Sequence, residues 1–178
     1  MSHGRLILGG YRLANNETGG ERRCDKVIRT AQVDDIPAMR DLITGYAEHG
    51  RMLFRSLADL YASVRDFKVA EQGGEVVGCC ALQVYWQDLA EIKSLAVRED
   101  LKGRGVGRAL VEAALSEAQQ LRIRRVFTLT LEPGFFERCG LAQVETESLP
   151  LKVWSDCVNC PKQDQCDEIA MAVELDIA

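Results

Sequence analysis

Three glycines fall on alternate positions in KGRGVGR, residues 102–108, directly ahead of an apolar-periodic run. Glycine weakens a regular helix or strand, so this spacing marks backbone that must bend or be approached closely. The first turn of a helix leaves N–H groups unpaired, and its dipole favours an anion. A loop of Gly103, Gly105 and Gly107 feeding such a turn suits a phosphate, and Lys102, Arg104 and Arg108 add positive charge around it. A Walker A loop requires Gly-x4-Gly-Lys-Ser/Thr, which this stretch lacks. A dinucleotide loop requires Gly-x-Gly-x-x-Gly after a first parallel strand, whereas this loop reads Gly-x-Gly-x-Gly behind three antiparallel-looking strands. The functional reading is a pyrophosphate cradle for a ligand other than a dinucleotide; the alternative is a glycine-rich strand-to-helix turn that holds no ligand.

The cysteines raise a second question. Cys157, Cys160 and Cys166 follow C-x2-C-x5-C spacing. C-x2-C is a good metal corner, but zinc takes four ligands, and the fourth would have to come from Asp156, Asp167 or Cys24. A reduced loop without metal is the expectation, with a Cys157–Cys160 disulfide as an alternative. Cys79 and Cys80 lie in an apolar run and read as small core residues.

The elements that must position the loop fit one domain of 178 residues, 47% of them apolar. A net charge of -5 argues against a nucleic-acid partner. No run is long enough to span a membrane and no signal peptide is evident, so the expected location is cytoplasmic. Residues 1–25 read as a flexible arm, and the folded domain is expected over 26–178. A strand is expected at 27–31, then a helix with Pro37 in its first turn and Ile36, Met39, Leu42, Ile43 and Tyr46 on one face. Ser56 should cap a second short helix, with Leu57, Leu60, Tyr61 and Val64 inward. A strand, a Gly73-Gly74 turn and a second strand follow, and LAEIKSLAV continues as a third. After the glycine loop come a helix to about Gln120, the strand RRVFTLTL, a short helix in PGFFERCG, and closing strands in LAQVE and EIAMAVEL. The order β-α-α-β-β-β-α-β-α-β-β predicts an α/β (α+β) fold with a single mixed, mostly antiparallel sheet flanked by helices.

At this point SLAVREDLKGRGVGRALVEAAL resembles the acetyl-CoA motif of the GNAT N-acetyltransferases, with Lys102 where that family usually carries Arg or Gln. The finer likeness is to the acetyltransferase domain of N-acetylglutamate synthase in its short stand-alone form, carried by IRTAQVDDI, RSLADLY, AEIKSLAV, FFERCGL and the LP at 149–150. The resemblance implies acetyl-CoA as co-substrate, held by Leu95, Ala96, Val97, Lys102, Gly103, Arg104, Gly105, Val106, Gly107 and Arg108. It implies L-glutamate as acceptor, in arginine biosynthesis; a homodimer is left open.

An amino acid is mostly an ammonium at neutral pH and must lose a proton before it attacks a thioester. The resemblance places the base at Glu91; the alternative is a strand glutamate that merely pairs Lys93. It also implies a splay of the strand around Ser94–Val97 that leaves an N–H for the oxyanion, with Ser94 near enough to assist. Phe136 stands where many family members carry a tyrosine acid, so the thiolate leaves unaided or through Thr130 and water. Arg55 matches the position that clamps a substrate carboxylate, beside Ser56; the alternative is a solvated arginine at a helix start. The family's second basic residue is not evident, and Lys93 or Lys152 could replace it. Two other readings are an acetyltransferase for a polyamine or peptide N-terminus, and a non-catalytic acyl-CoA or metal sensor.

Overall fold

A computed structural model describes residues 26–149 and 166–177. The strands are β1 (Val27–Thr30), β2 (Phe67–Gln72), β3 (Glu75–Trp86), β4 (Leu89–Val97), β5 (Arg125–Thr130), β6 (Ala142–Gln143) and β7 (Ile169–Glu174). The α-helices are α1 (Ile36–Glu48), α2 (Leu57–Ala62), α3 (Val106–Gln120) and α4 (Pro133–Glu137). Their order follows the one expected from sequence. The strands form one sheet in the order β1-β2-β3-β4-β5-β7-β6. Only β4 and β5 pair parallel; every other neighbouring pair is antiparallel. The arm expected at 1–25 lies outside the described residues, and so do Lys152, Cys157 and Cys160.

Strand alternation sorts the core onto the two faces of the sheet. Phe67, Val69, Cys79 and Ala81 pack with Ile36, Met39 and Ile43 of α1 and Leu60 of α2. Ala70, Cys80, Leu82, Ala90 and Ile92 pack with Val106, Leu110, Val111 and Ala114 of α3. Full burial of a side chain such as Leu110 is worth roughly 1.5–3 kcal/mol. Gly78 lets α3 seat this closely: a Cβ there would lie 3.1 Å from Leu110 Cδ1 and 3.2 Å from the Ala96 carbonyl. Cys79 and Cys80 are fully buried core residues as expected, and burial pushes the Cys79 thiol up to about 12.

One expectation fails. On α2 only Leu60 is fully buried; Leu57 and Tyr61 are 43% and 49% exposed. The helix has only six residues, and its one inward turn is filled by Leu60.

Candidate active site

The middle of the sheet opens between β4 and β5. Their ladder runs only from Leu89↔Arg125 to Glu91↔Phe127, although β4 continues to Val97. The cause lies in β4. Its register on β3 steps from Ala81↔Lys93 to Cys79↔Ala96, so β4 carries one extra residue there. Ser94 sits inside that bulge with φ 52, in the left-handed region that non-glycine residues seldom occupy. The bulge also shifts the strand's alternation. Ala90 and Ile92 face α3, whereas Ala96 faces α1.

Beyond the bulge, Val97 turns backbone groups to α1 rather than to a strand. The Tyr46 hydroxyl donates to the Val97 carbonyl at 2.9 Å and accepts the Val97 N–H at 3.4 Å. The expected splay over Ser94–Val97 is therefore present, and Tyr46 spans it.

The glycine loop follows through a 3-10 turn at Glu99–Leu101. Gly103 and Gly105 adopt φ 73 and 78, conformations that side chains disfavour. Gly105 is the N-cap of α3 with no side-chain hydrogen bond capping the helix, and the first bond of the helix runs from the Ala109 N–H to the Gly105 carbonyl. The N–H groups of Val106, Gly107 and Arg108 thus stand at the helix mouth. Nothing lies within 4 Å of where a Gly103 Cβ would be, and Phe135 of α4 packs edge-on beside Gly107. A diphosphate fits here: open space at Gly103, a positive dipole end and donors that no side chain caps.

The cations expected around the loop divide. Lys102 is paired with Glu99 and lies 4.5 Å over the Tyr46 ring. Burial pulls its ammonium down, but Glu99 and Tyr46 hold it above its ordinary range. Arg108 is paired with Glu112 at 2.8 Å. Arg104 is exposed at the loop tip. Lys26, which sequence reasoning passed over, brings its Nζ to 4.0 Å from a Cβ position on Gly105. Its place ahead of β1 gave no local signal, because it reaches the loop only through the packing of β1 beside α3.

At the other end of the opening, Glu91 is 7% exposed. Its Oε2 accepts the Tyr85 hydroxyl at 2.9 Å, and Lys93 Nζ stands 3.4 Å from the same oxygen. The pairing with Lys93 that was an alternative to catalysis is real, yet it leaves a buried carboxylate at the edge of the splay. Tyr85 is a second residue not foreseen. Thr130, offered as a proton relay, accepts the Glu132 N–H at 2.9 Å. Phe136 is buried against Phe135, so no phenol stands at that position.

Arg55 and Ser56 stand at the start of α2. Ser56 Oγ accepts the Asp59 N–H at 3.1 Å, and Asp59 returns a carboxylate to the Ser56 N–H, which forms a capping box. Arg55 Nη2 donates to Ser63 Oγ at 3.1 Å, and its Nε is buried without a partner. Burial pushes the nearby Asp66 carboxyl up, and Arg55 pulls against it. Cys166 is described and exposed, and no cluster of three metal-ligating side chains occurs among the described residues.

A strand bulge that splays two parallel neighbours beside a glycine-capped helix is the frame of an acyl-CoA site, and the comparisons agree. Residues 36–141 match the model of the acetyltransferase (GNAT) family, and the chain belongs to that family. It is therefore an acyltransferase, and acetyl-CoA is its acyl donor. It is 46% identical over 151 residues to an uncharacterised N-acetyltransferase of Chlorobaculum tepidum, covering 85% of this chain and 97% of that one. It is 40% identical over 139 residues to the amino-acid acetyltransferase of Mycobacterium tuberculosis, covering 76% of this chain and 79% of that one. Among solved structures, Rv2747 from Mycobacterium tuberculosis, in complex with CoA and NLQ, superposes with TM-score 0.73 at 34% identity, over 84% of this chain and 99% of that one. N-acetylglutamate synthase from Neisseria gonorrhoeae, complexed with coenzyme A and N-acetyl-glutamate, gives TM-score 0.78 at 26% identity, over 87% of this chain but 36% of that one. No helix among the described residues is long and apolar enough to cross a membrane.

Proposed function

We propose that this acetyltransferase moves an acetyl group from acetyl-CoA to the α-amino group of L-glutamate, as a step toward arginine. The observation that carries the reading is the buried Glu91 carboxylate at the edge of the splay that leads into the glycine loop. Its relatives include proteins named amino-acid acetyltransferase, and a structural neighbour was solved with N-acetyl-glutamate.

The first-turn amides of α3, from Val106 to Arg108, grip the diphosphate, and Gly103, Arg104 and Gly105 shape its approach. Leu95, Ala96 and Val97 run alongside the pantetheine, which brings a thioester carbonyl into the opening. Glu91 accepts a proton from the substrate ammonium, directly or through water. The freed amine forms a C–N bond to the thioester carbon. A backbone N–H of the bulge, with Ser94 beside it, steadies the oxyanion; such a donor is worth roughly 2.7–4 kcal/mol when preorganised. The C–S bond then breaks and the acetyl stays on nitrogen; the nitrogen gives up its second excess proton to solvent, and the departing thiolate takes one from solvent. Arg55 and Lys93 supply cationic partners for the carboxylates of the substrate, with Ser56 beside Arg55. Arg55 must then exchange its contact with Ser63 for the ligand.

The test is release of CoA thiol when the protein is mixed with acetyl-CoA and, in turn, each of the twenty amino acids, a polyamine and a short peptide. Turnover fastest with glutamate is expected. Turnover only with polyamines or peptides would overturn the acceptor, and none with any amine would overturn the reaction.

A further inference from the structure

Tyr85 has no assigned part in the site, and its placement is unusual. The register of β3 on β4 steps from Val84↔Ala90 to Trp86↔Leu89, so Tyr85 is the extra residue of a second bulge. A bulge bends its strand and re-aims the side chain it releases. The Tyr85 ring leans on Phe127 of β5, with centroids 5.9 Å apart, and Lys93 Nζ lies 6.0 Å from the ring centroid. The hydroxyl donates to Glu91 Oε2 at 2.9 Å and lies 3.5 Å from Lys93 Nζ. Two bulges therefore flank Glu91: one opens the splay, and the other carries a phenol to its carboxylate.

We infer that Tyr85 is a positioning residue for the base: its hydroxyl fixes the Glu91 carboxylate at the splay and keeps it ionised and ready to accept the substrate's proton. This rests on Glu91 acting as the base. A donor to the ionised form of a carboxylate favours that form. Among the described residues, Glu91 is faced by Tyr85 and Gln83 on β3, Lys93 on its own strand and Phe127 on β5. Removing the Tyr85 hydroxyl withdraws a hydrogen bond from the carboxylate and leaves the ring packing in place.

The sign follows. Without the donor, the Glu91 carboxylate takes up a proton at higher pH. A base must be unprotonated to work, so the acidic limb of activity moves upward.

The experiment is the pH profile of kcat/KM for Tyr85→Phe beside the native protein, with the amino acid that turns over fastest. The acidic limb is expected to move up by about one pH unit, since a hydrogen bond to a charged group is worth a comparable amount. The loss should be roughly tenfold on the acidic side, as one unit of limb shift dictates. It should shrink toward nothing at high pH, while KM for acetyl-CoA stays unchanged. A limb that does not move, or a loss equal at every pH, overturns the role of Tyr85. Glu91→Gln separates the two levels: if that variant keeps native turnover, the base assignment fails before the question of Tyr85 arises.

Discussion

The two ends of β4 solve opposite problems. Beyond the Ser94 bulge the strand runs into a site built from backbone: two glycines at positive φ, a helix mouth without a side-chain cap, and Val97 facing out of the ladder. Its nearest cations are largely committed, Lys102 to Glu99 and Tyr46 and Arg108 to Glu112. Before the bulge the strand carries a site built from side chains, where Glu91, Tyr85 and Lys93 meet within 3.5 Å. A diphosphate is common to every donor of its kind, so amides that carry no identity of their own suffice. An acceptor must be chosen and deprotonated, and that requires particular groups at particular places.

If the division holds, the two ends can be damaged separately. Glu91→Gln should have the largest effect. Turnover is expected to fall by roughly 10²–10⁴-fold, the usual contribution of a positioned base, while calorimetric affinity for CoA stays within about twofold. Weaker CoA binding in parallel with the lost turnover would mean that the two ends are not separable.

Ser56→Ala should have the smallest effect and sharpens the acceptor end. Loss of the N-cap should cost about 1 kcal/mol in denaturant unfolding. If Ser56 also touches the ligand, KM for the amino acid rises as well. An unchanged KM confines Ser56 to capping and leaves Arg55 as the only contact at that helix start.

The same contrast explains what could be read before the fold was known. The glycine loop was legible because its geometry constrains residue type: only glycine takes φ 73 and 78 without strain. The hairpin at Gly73-Gly74 and the capping box at Ser56 were legible for the same reason, since local backbone demands are written into local residues. The side-chain end was legible only in part. The family resemblance points to Glu91, but nothing in it points to Tyr85. A bulge shifts register by one residue without a sequence signature, so Tyr85 looked like an ordinary residue near the end of a strand. Tyr46 was read only as part of the inward face of α1, because its bond to Val97 spans 51 residues. Lys26 and Phe135 escaped notice for the same reason: each meets the loop only after distant elements pack. The overestimate on α2 came from extending a helical stripe through a helix too short to bury it.

On the proposed function, bare amides at the mouth of α3 hold the acyl carrier, in line with the strand that carries Glu91. An amide-resolved NMR titration of the protein with CoA tests it most directly. The largest shifts are expected on the N–H groups of Gly103 to Arg108 and on Val97, as its bonds to Tyr46 are exchanged. Saturable binding that leaves those amides silent, or no binding at all, would contradict it.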